Sequence, residues 1–130
     1  MSQPSINIVW IKRDIRSQDH APLAVADNED IPYLIIYLFE PEMMAYKDTS
    51  LRHLQFQFHA LQELNNTLAI HNKKVELLYG NAIDIFRSLL ESFHVQTVFS
   101  YQESGTLITY HRDILLSELF KEYKCVWKEF

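Results

Sequence analysis

The sequence predicts an α/β fold: a doubly wound, mostly parallel five-stranded sheet with helices on both faces, of Rossmann-like or HUP-like type. Five short runs rich in β-branched and aromatic residues alternate with helical patterns, in the order β-α-β-α-β-α-β-α-β. One of them, Ile35–Phe39, is almost continuously apolar, as a strand covered on both faces must be. Parallel neighbours need a crossover connection, and the interleaved helices supply it. Right-handed crossovers then put any site at the carboxyl ends of the strands.

The elements follow in chain order. Ile6–Ile11 reads as the first strand. A short helix is expected to begin at Asp19 as its cap, with Pro22 tolerated in the first turn. Tyr33–Phe39 is the second strand. A long helix covers Ser50–His71, with Ser50 as cap and Leu54, Phe58, Leu61, Leu64 and Leu68 recurring at three and four residues as one buried stripe. Val75–Tyr79 is the third strand. After Gly80, Asn81 can cap a helix, Asp84 suits its positive end, and Ile83, Phe86, Leu90 and Phe93 form its stripe. Thr97–Tyr101 is the fourth strand. A helix from about Thr106 to Tyr123 follows, with Ile108, His111, Leu115 and Leu119 on one side, and Cys125–Trp127 closes the order as the fifth strand.

Composition bounds the function. The 130 residues carry 12 Lys plus Arg against 17 Asp plus Glu, a net charge of −5, and 48% are hydrophobic, which fits one ordinary globular domain over 1–130. An acidic chain is a poor nucleic-acid module by itself, because phosphate neutralisation needs clustered cations. No apolar run reaches the ~20 residues of a membrane span, and Met1-Ser2-Gln3-Pro4 has no signal-peptide pattern. Cys125 is the only cysteine, which excludes an internal disulfide and fits a reducing, cytoplasmic setting. With Gly80 and Gly105 as the only glycines, neither a Gly-x-Gly-x-x-Gly dinucleotide turn nor a Gly-rich phosphate loop can form.

The loops after the strands remain. Lys12, Arg13 and Arg16 concentrate charge after the first strand, Glu40-Pro41-Glu42 follow the second, and Gln102-Glu103-Ser104-Gly105 follow the fourth. These segments either cradle an anionic or aromatic ligand, or are solvated loops whose Arg and Asp side chains hold one another. Other constellations are weaker. His53 and His59 lie six residues apart, unlike the i, i+4 pairing of helical zinc ligands. His111 reads as a hydrogen-bonded boundary residue, Cys125 as a small buried apolar group, and Trp10 and Trp127 as core packing. A Gly-x-Ser-x-Gly elbow is missing.

Trp10-Ile11-Lys12-Arg13-Asp14-Ile15-Arg16, followed by Asp19-His20-Ala21-Pro22-Leu23, closely resembles the opening of the DNA photolyase/cryptochrome family. There a strand ends in a Trp-x-Lys/Arg-Arg-Asp-Leu-Arg signature. The resemblance continues through Tyr37-Leu38-Phe39-Glu40-Pro41, Ser50-Leu51-Arg52-His53 with Phe56, Leu64-Asn65, Glu103-Ser104-Gly105 and Tyr110-His111-Arg112-Asp113, in order along nearly the whole chain. It implies the N-terminal α/β antenna or scaffold domain of a photolyase- or cryptochrome-like flavoprotein, non-catalytic by itself. In the parent, a C-terminal helical domain would hold FAD, reach DNA and carry the light-driven repair of pyrimidine dimers, a carbon-carbon lyase reaction on a flipped base. That domain is expected to follow Phe130 in a longer protein.

Folate-bearing members place an Asn-Glu pair where Ile108-Thr109 stand here, so a flavin or deazaflavin antenna is expected rather than folate. The resemblance then implies Arg13 as a partner for a phosphate or ring oxygen, and Glu40, Gln102 and Glu103 as acceptors of ring N–H groups. The competing role for this cluster is an internal ion network of Arg13, Asp14 and Arg16 bracing the first loop. The alternative function is a free-standing nucleotide-binding or protein-interaction module of the same architecture, resting on fold analogy. An apolar patch left for a partner domain would also let this chain self-associate.

Overall fold

A computed structural model of the chain describes residues 4–12, 20–41, 51–70, 72–102 and 107–130, with the backbone alone for 51–54 and 108. Strands β1 (Ser5–Ile11), β2 (Tyr33–Phe39), β3 (Val75–Tyr79), β4 (His94–Ser100) and β5 (Val126–Glu129) alternate with helices α1 (Ala21–Asn28), α2 (Leu51–Ala69), α3 (Ala82–Ser92) and α4 (Leu107–Glu122). The five strands form one sheet in the order β3-β2-β1-β4-β5, every neighbouring pair parallel. The chain winds outward from β1 in both directions, so β1 and β4 flank the switch point of a doubly wound fold.

Alternation along the strands divides the core. Ile6, Ile8 and Trp10 of β1 face α3 and α4, where they meet Phe86, Leu90, Leu116, Leu119 and Phe120. Val9 and Ile11 face the other way, against Leu23 and Ala26 of α1 and Leu61, Leu64 and Leu68 of α2. Trp10 stacks edge-on to Phe86 at 5.0 Å, and Phe120 lies edge-on to both Phe86 and Trp127, at 5.2 and 5.3 Å. Each large side chain so buried contributes roughly 1.5–3 kcal/mol.

β2 and β3 have the bounds their sequence predicts, and α3 begins at the expected cap: Asn81 Oδ1 accepts the amide N–H groups of Ile83 and Asp84 at 2.8 and 3.4 Å. Other expectations need correction. The cap of α1 is His20, one residue beyond Asp19: its Nδ1 accepts the Leu23 amide at 3.1 Å. β4 begins at His94 because Ser5 and Ile6 pair with His94 and Val95 ahead of a bulge between Ile6 and Asn7. β5 runs from Val126 to Glu129, not from Cys125 to Trp127, because Lys128 and Glu129 pair with Phe99 and Ser100 and an edge strand tolerates exposed charged side chains. Phe58, expected in the buried stripe of α2, is 47% exposed, whereas Leu61, Leu64 and Leu68 are buried.

α4 departs furthest. Its inner face carries Thr109, Arg112, Leu116, Leu119 and Phe120, whereas His111 and Leu115 point to solvent. Leu107, Tyr110, Ile114 and Leu115 are all exposed, so α4 is apolar on two sides and its period does not single out the buried one. Among the described residues, no helix is long and apolar enough to cross a membrane.

Candidate functional site at the carboxyl rim

Parallel strands send all their carboxyl ends to one edge, where the chain turns into loops and leaves backbone groups for side chains to answer. Lys12 follows β1, Glu40 follows β2, Tyr101 and Gln102 follow β4, and Phe130 follows β5. Lys12 and Glu40 continue the alternation of Trp10 and Leu38, which places them on the α3/α4 side of the sheet.

Arg112 reaches this edge from α4. Its Nη1 donates to Glu40 Oε1 at 2.8 Å, and its Nε to Asp113 Oδ1 at 3.0 Å. The Arg112 and Glu40 side chains are only 8% and 12% exposed, so this is a buried, charge-assisted pair. The guanidinium carbon lies 4.9 Å from the Trp10 ring centroid, and Lys12 Nζ lies 4.3 Å from it and 5.5 Å from that of Trp127. Two cations on one indole repel each other, and the Glu40 carboxylate together with the ring quadrupoles offsets that cost. Trp127 Nε1 donates to Ser100 Oγ at 2.9 Å, tying the edge strand to the fully buried end of β4.

The α1/α2 side of the rim is built differently. Tyr101 Oη accepts the Ala21 amide at 3.0 Å, and its ring lies edge-on to buried His20 at 5.1 Å. Tyr37 and Phe39 stack edge-on at 5.0 Å along β2. The rim thus has a charged half over an indole and an aromatic half.

Of the four site residues expected from sequence, Glu40 and Gln102 are described, whereas Arg13 and Glu103 lie outside the described residues. So do Asp14 and Arg16 of the expected ion network. Glu40 is turned toward α4 as the partner of Arg112. Gln102 is exposed beside β5, its backbone N–H donating to the Phe130 carbonyl at 3.1 Å. Sequence reasoning missed Arg112 as the organiser of this edge. The signal was its place three residues after Thr109 and four before Leu116, on the face that proves to be buried.

The Tyr33 phenol and the Cys125 thiol, both with raised pKa values, lie elsewhere. Burial and the bond to Asp27 push the Tyr33 phenol up to about 12, and burial pushes the Cys125 thiol up to about 11. Both sit where strands begin, opposite the rim. Among the described residues, no group of three or more His, Cys, Asp or Glu side chains is placed to hold a metal ion.

A doubly wound sheet of this order, with a polar rim at β1 and β4, can be compared with known proteins. The family model for DNA photolyase matches residues 7–130. The chain belongs to the DNA photolyase family. Curated relatives of this photolyase-family chain include Cryptochrome-2 of Gallus gallus, 23% identical over 116 residues, covering 89% of this chain and 20% of the relative. Cryptochrome-1 of Aedes aegypti is 23% identical over 130 residues, covering 94% and 24%. The chain therefore spans about a fifth to a quarter of the curated relatives it matches.

Solved structures agree on the fold. The Synechocystis sp. PCC6803 cryptochrome superposes with a TM-score of 0.90 at 17% identity, covering all of this photolyase-family chain and 28% of that one. A bacterial class III photolyase from Agrobacterium tumefaciens gives 0.78 at 21% identity, covering 99% and 26%. An archaeal photolyase from Sulfolobus tokodaii, solved with two FAD molecules, gives 0.81 at 20% identity, covering 95% and 29%.

Proposed function

We propose that this chain is the antenna and scaffold domain of a photolyase- or cryptochrome-like flavoprotein, and that its carboxyl rim takes a flavin or deazaflavin. The observation that carries this reading is the match of the family across 7–130 to a sheet whose switch point ends in a polar, aromatic-lined rim. In the parent protein its partner is a helical domain holding FAD, through which DNA is reached and light-driven dimer repair or signalling is carried out. Two facts support a partner of that kind: relatives are four to five times longer, and Leu107, Tyr110 and Ile114 present apolar surface on α4.

The rim suits a planar, hydrogen-bonding ring. Glu40 is a fixed acceptor, since Arg112 holds its carboxylate in place, and exposed Gln102 offers an amide at the other side of the switch point. Arg13 and Glu103, from the adjoining loops, complete the proposed set. When bound, the pigment would supply light absorption, and the residues of this chain would supply orientation and exclusion of water. The absorbance and fluorescence of the purified chain, titrated in turn with FMN, FAD, a deazaflavin and a reduced folate, test this. A flavin or deazaflavin that binds with a red-shifted, structured band, weakened by Gln102→Ala, is the expected result. Binding of folate alone would overturn the flavin or deazaflavin assignment, and binding of no chromophore at millimolar concentration would overturn the antenna role.

A further inference from the structure

In its described side chains, the amino-terminal half of α4 is inside out. Among the described side chains from Leu107 to Leu115, the buried ones are those of Thr109 and Arg112, both polar, while the apolar side chains of Leu107, Tyr110, Ile114 and Leu115 face outward. The carboxyl half has the ordinary arrangement, with Leu116, Leu119 and Phe120 packed against Trp10, Phe86 and Val98 in the core. One helix is therefore held to the sheet by two different kinds of force. Burial of apolar surface holds its second half. A directional polar contact, the Arg112–Glu40 pair at 2.8 Å with the guanidinium over Trp10, holds its first half.

We propose that the amino-terminal half of α4 is a separately opening segment and that the Arg112–Glu40 ion pair is its latch. Directional contacts of this kind fail abruptly when one partner is lost, because the other is left charged and buried. Apolar packing four residues further on is untouched by that loss, so opening stops near Leu116. The consequence is local mobility at the rim, carried by the face that bears Leu107, Tyr110 and Ile114. Among the described residues, the charged groups facing the latch include Asp113 on α4, which accepts from Arg112 Nε at 3.0 Å, and Lys12 at the end of β1, over the same indole.

Amide hydrogen exchange on the full 130-residue chain tests it. In Glu40→Gln, amides of His111–Ile114 should exchange at least about tenfold faster, while those of Glu118–Phe120 keep their wild-type rates. Arg112→Lys, which keeps the charge but loses the planar fork, should open the same segment to a smaller degree. The double variant Glu40→Gln with Arg112→Gln, which removes both charges of the Arg112–Glu40 pair, should recover part of the protection lost in either single change. If both halves of α4 accelerate together in Arg112→Lys, or if the two substitutions combine additively, no latch exists. Unchanged rates at His111–Ile114 in Glu40→Gln would overturn the proposal equally.

Discussion

Cys125 stands between α4 and β5 with its side chain buried, and removal from water pushes its thiol up to about 11. A thiol that remains protonated is a poor nucleophile, so Cys125 should react with a disulfide reagent at pH 8 only as fast as the chain unfolds. Immediate labelling of the native protein would contradict that burial. Its linkage to stability has a definite sign. The fold favours the neutral thiol, so its contribution is complete below pH 9, the ordinary value, and is lost as pH rises toward 11. The urea midpoint should therefore fall less steeply over pH 9–11 in Cys125→Ala than in wild type. Asn7 makes a second residue-scale case. It is fully buried at the bulge in β1, where its Oδ1 accepts the Thr97 amide at 3.1 Å in place of a ladder carbonyl. Asn7→Ala leaves that donor unanswered and should cost about 1–3 kcal/mol in urea denaturation. The sequence did not reveal this role, because an Asn inside an apolar strand gives no sign of the bulge it repairs. The apolar roles of Trp10 and Cys125, in contrast, were legible from their neighbours alone.

Among the elements, helix ends show where local sequence decides and where tertiary context does. Asn81 ahead of Asp84 is a cap legible by inspection, and its removal in Asn81→Ala should cost about 1 kcal/mol of stability. The far end of α4 is less obvious. Cys125 N–H donates to the Phe120 carbonyl at 2.8 Å and Lys124 N–H to that of Lys121 at 3.1 Å, a Schellman ending that puts Lys124 at φ 56°. A lysine pays a steric cost there that glycine avoids, so Lys124→Gly should raise stability by roughly 0.5–1 kcal/mol in a thermal melt. An unchanged or lowered Tm would show that the left-handed turn is not strained. The bounds of β2 and β3 were readable because both faces of β2 are covered and β3 is bounded by Lys73-Lys74 and Gly80. The inner face of α4 was not. Apolar side chains on two sides of one helix give two competing stripes, and the packing of Leu116, Leu119 and Phe120 together with the placement of Arg112 against Glu40 selects between them.

For the whole molecule, alternation of strand and helix sufficed to fix the doubly wound sheet, since parallel pairing and right-handed crossovers leave few other arrangements. The strand order β3-β2-β1-β4-β5 then sets the carboxyl ends of β1 and β4 side by side. Half of the expected site could be followed there: Glu40 is present as an anchored carboxylate and Gln102 as an exposed amide, while Arg13 and Glu103 belong to loops outside the described residues. The charged half of the rim, built from Lys12, Arg112 and Trp10, was hidden because its members are far apart in sequence and only the fold assembles them. A pigment seated as proposed would touch the carboxyl ends of the strands. Nuclear magnetic resonance mapping of the labelled chain with a flavin added tests it most directly. Shifts confined to the carboxyl ends of the strands, around Lys12, Glu40 and Gln102, are predicted; shifts clustered at the opposite edge near Asn7 and Tyr33, or none at saturating flavin, would contradict it.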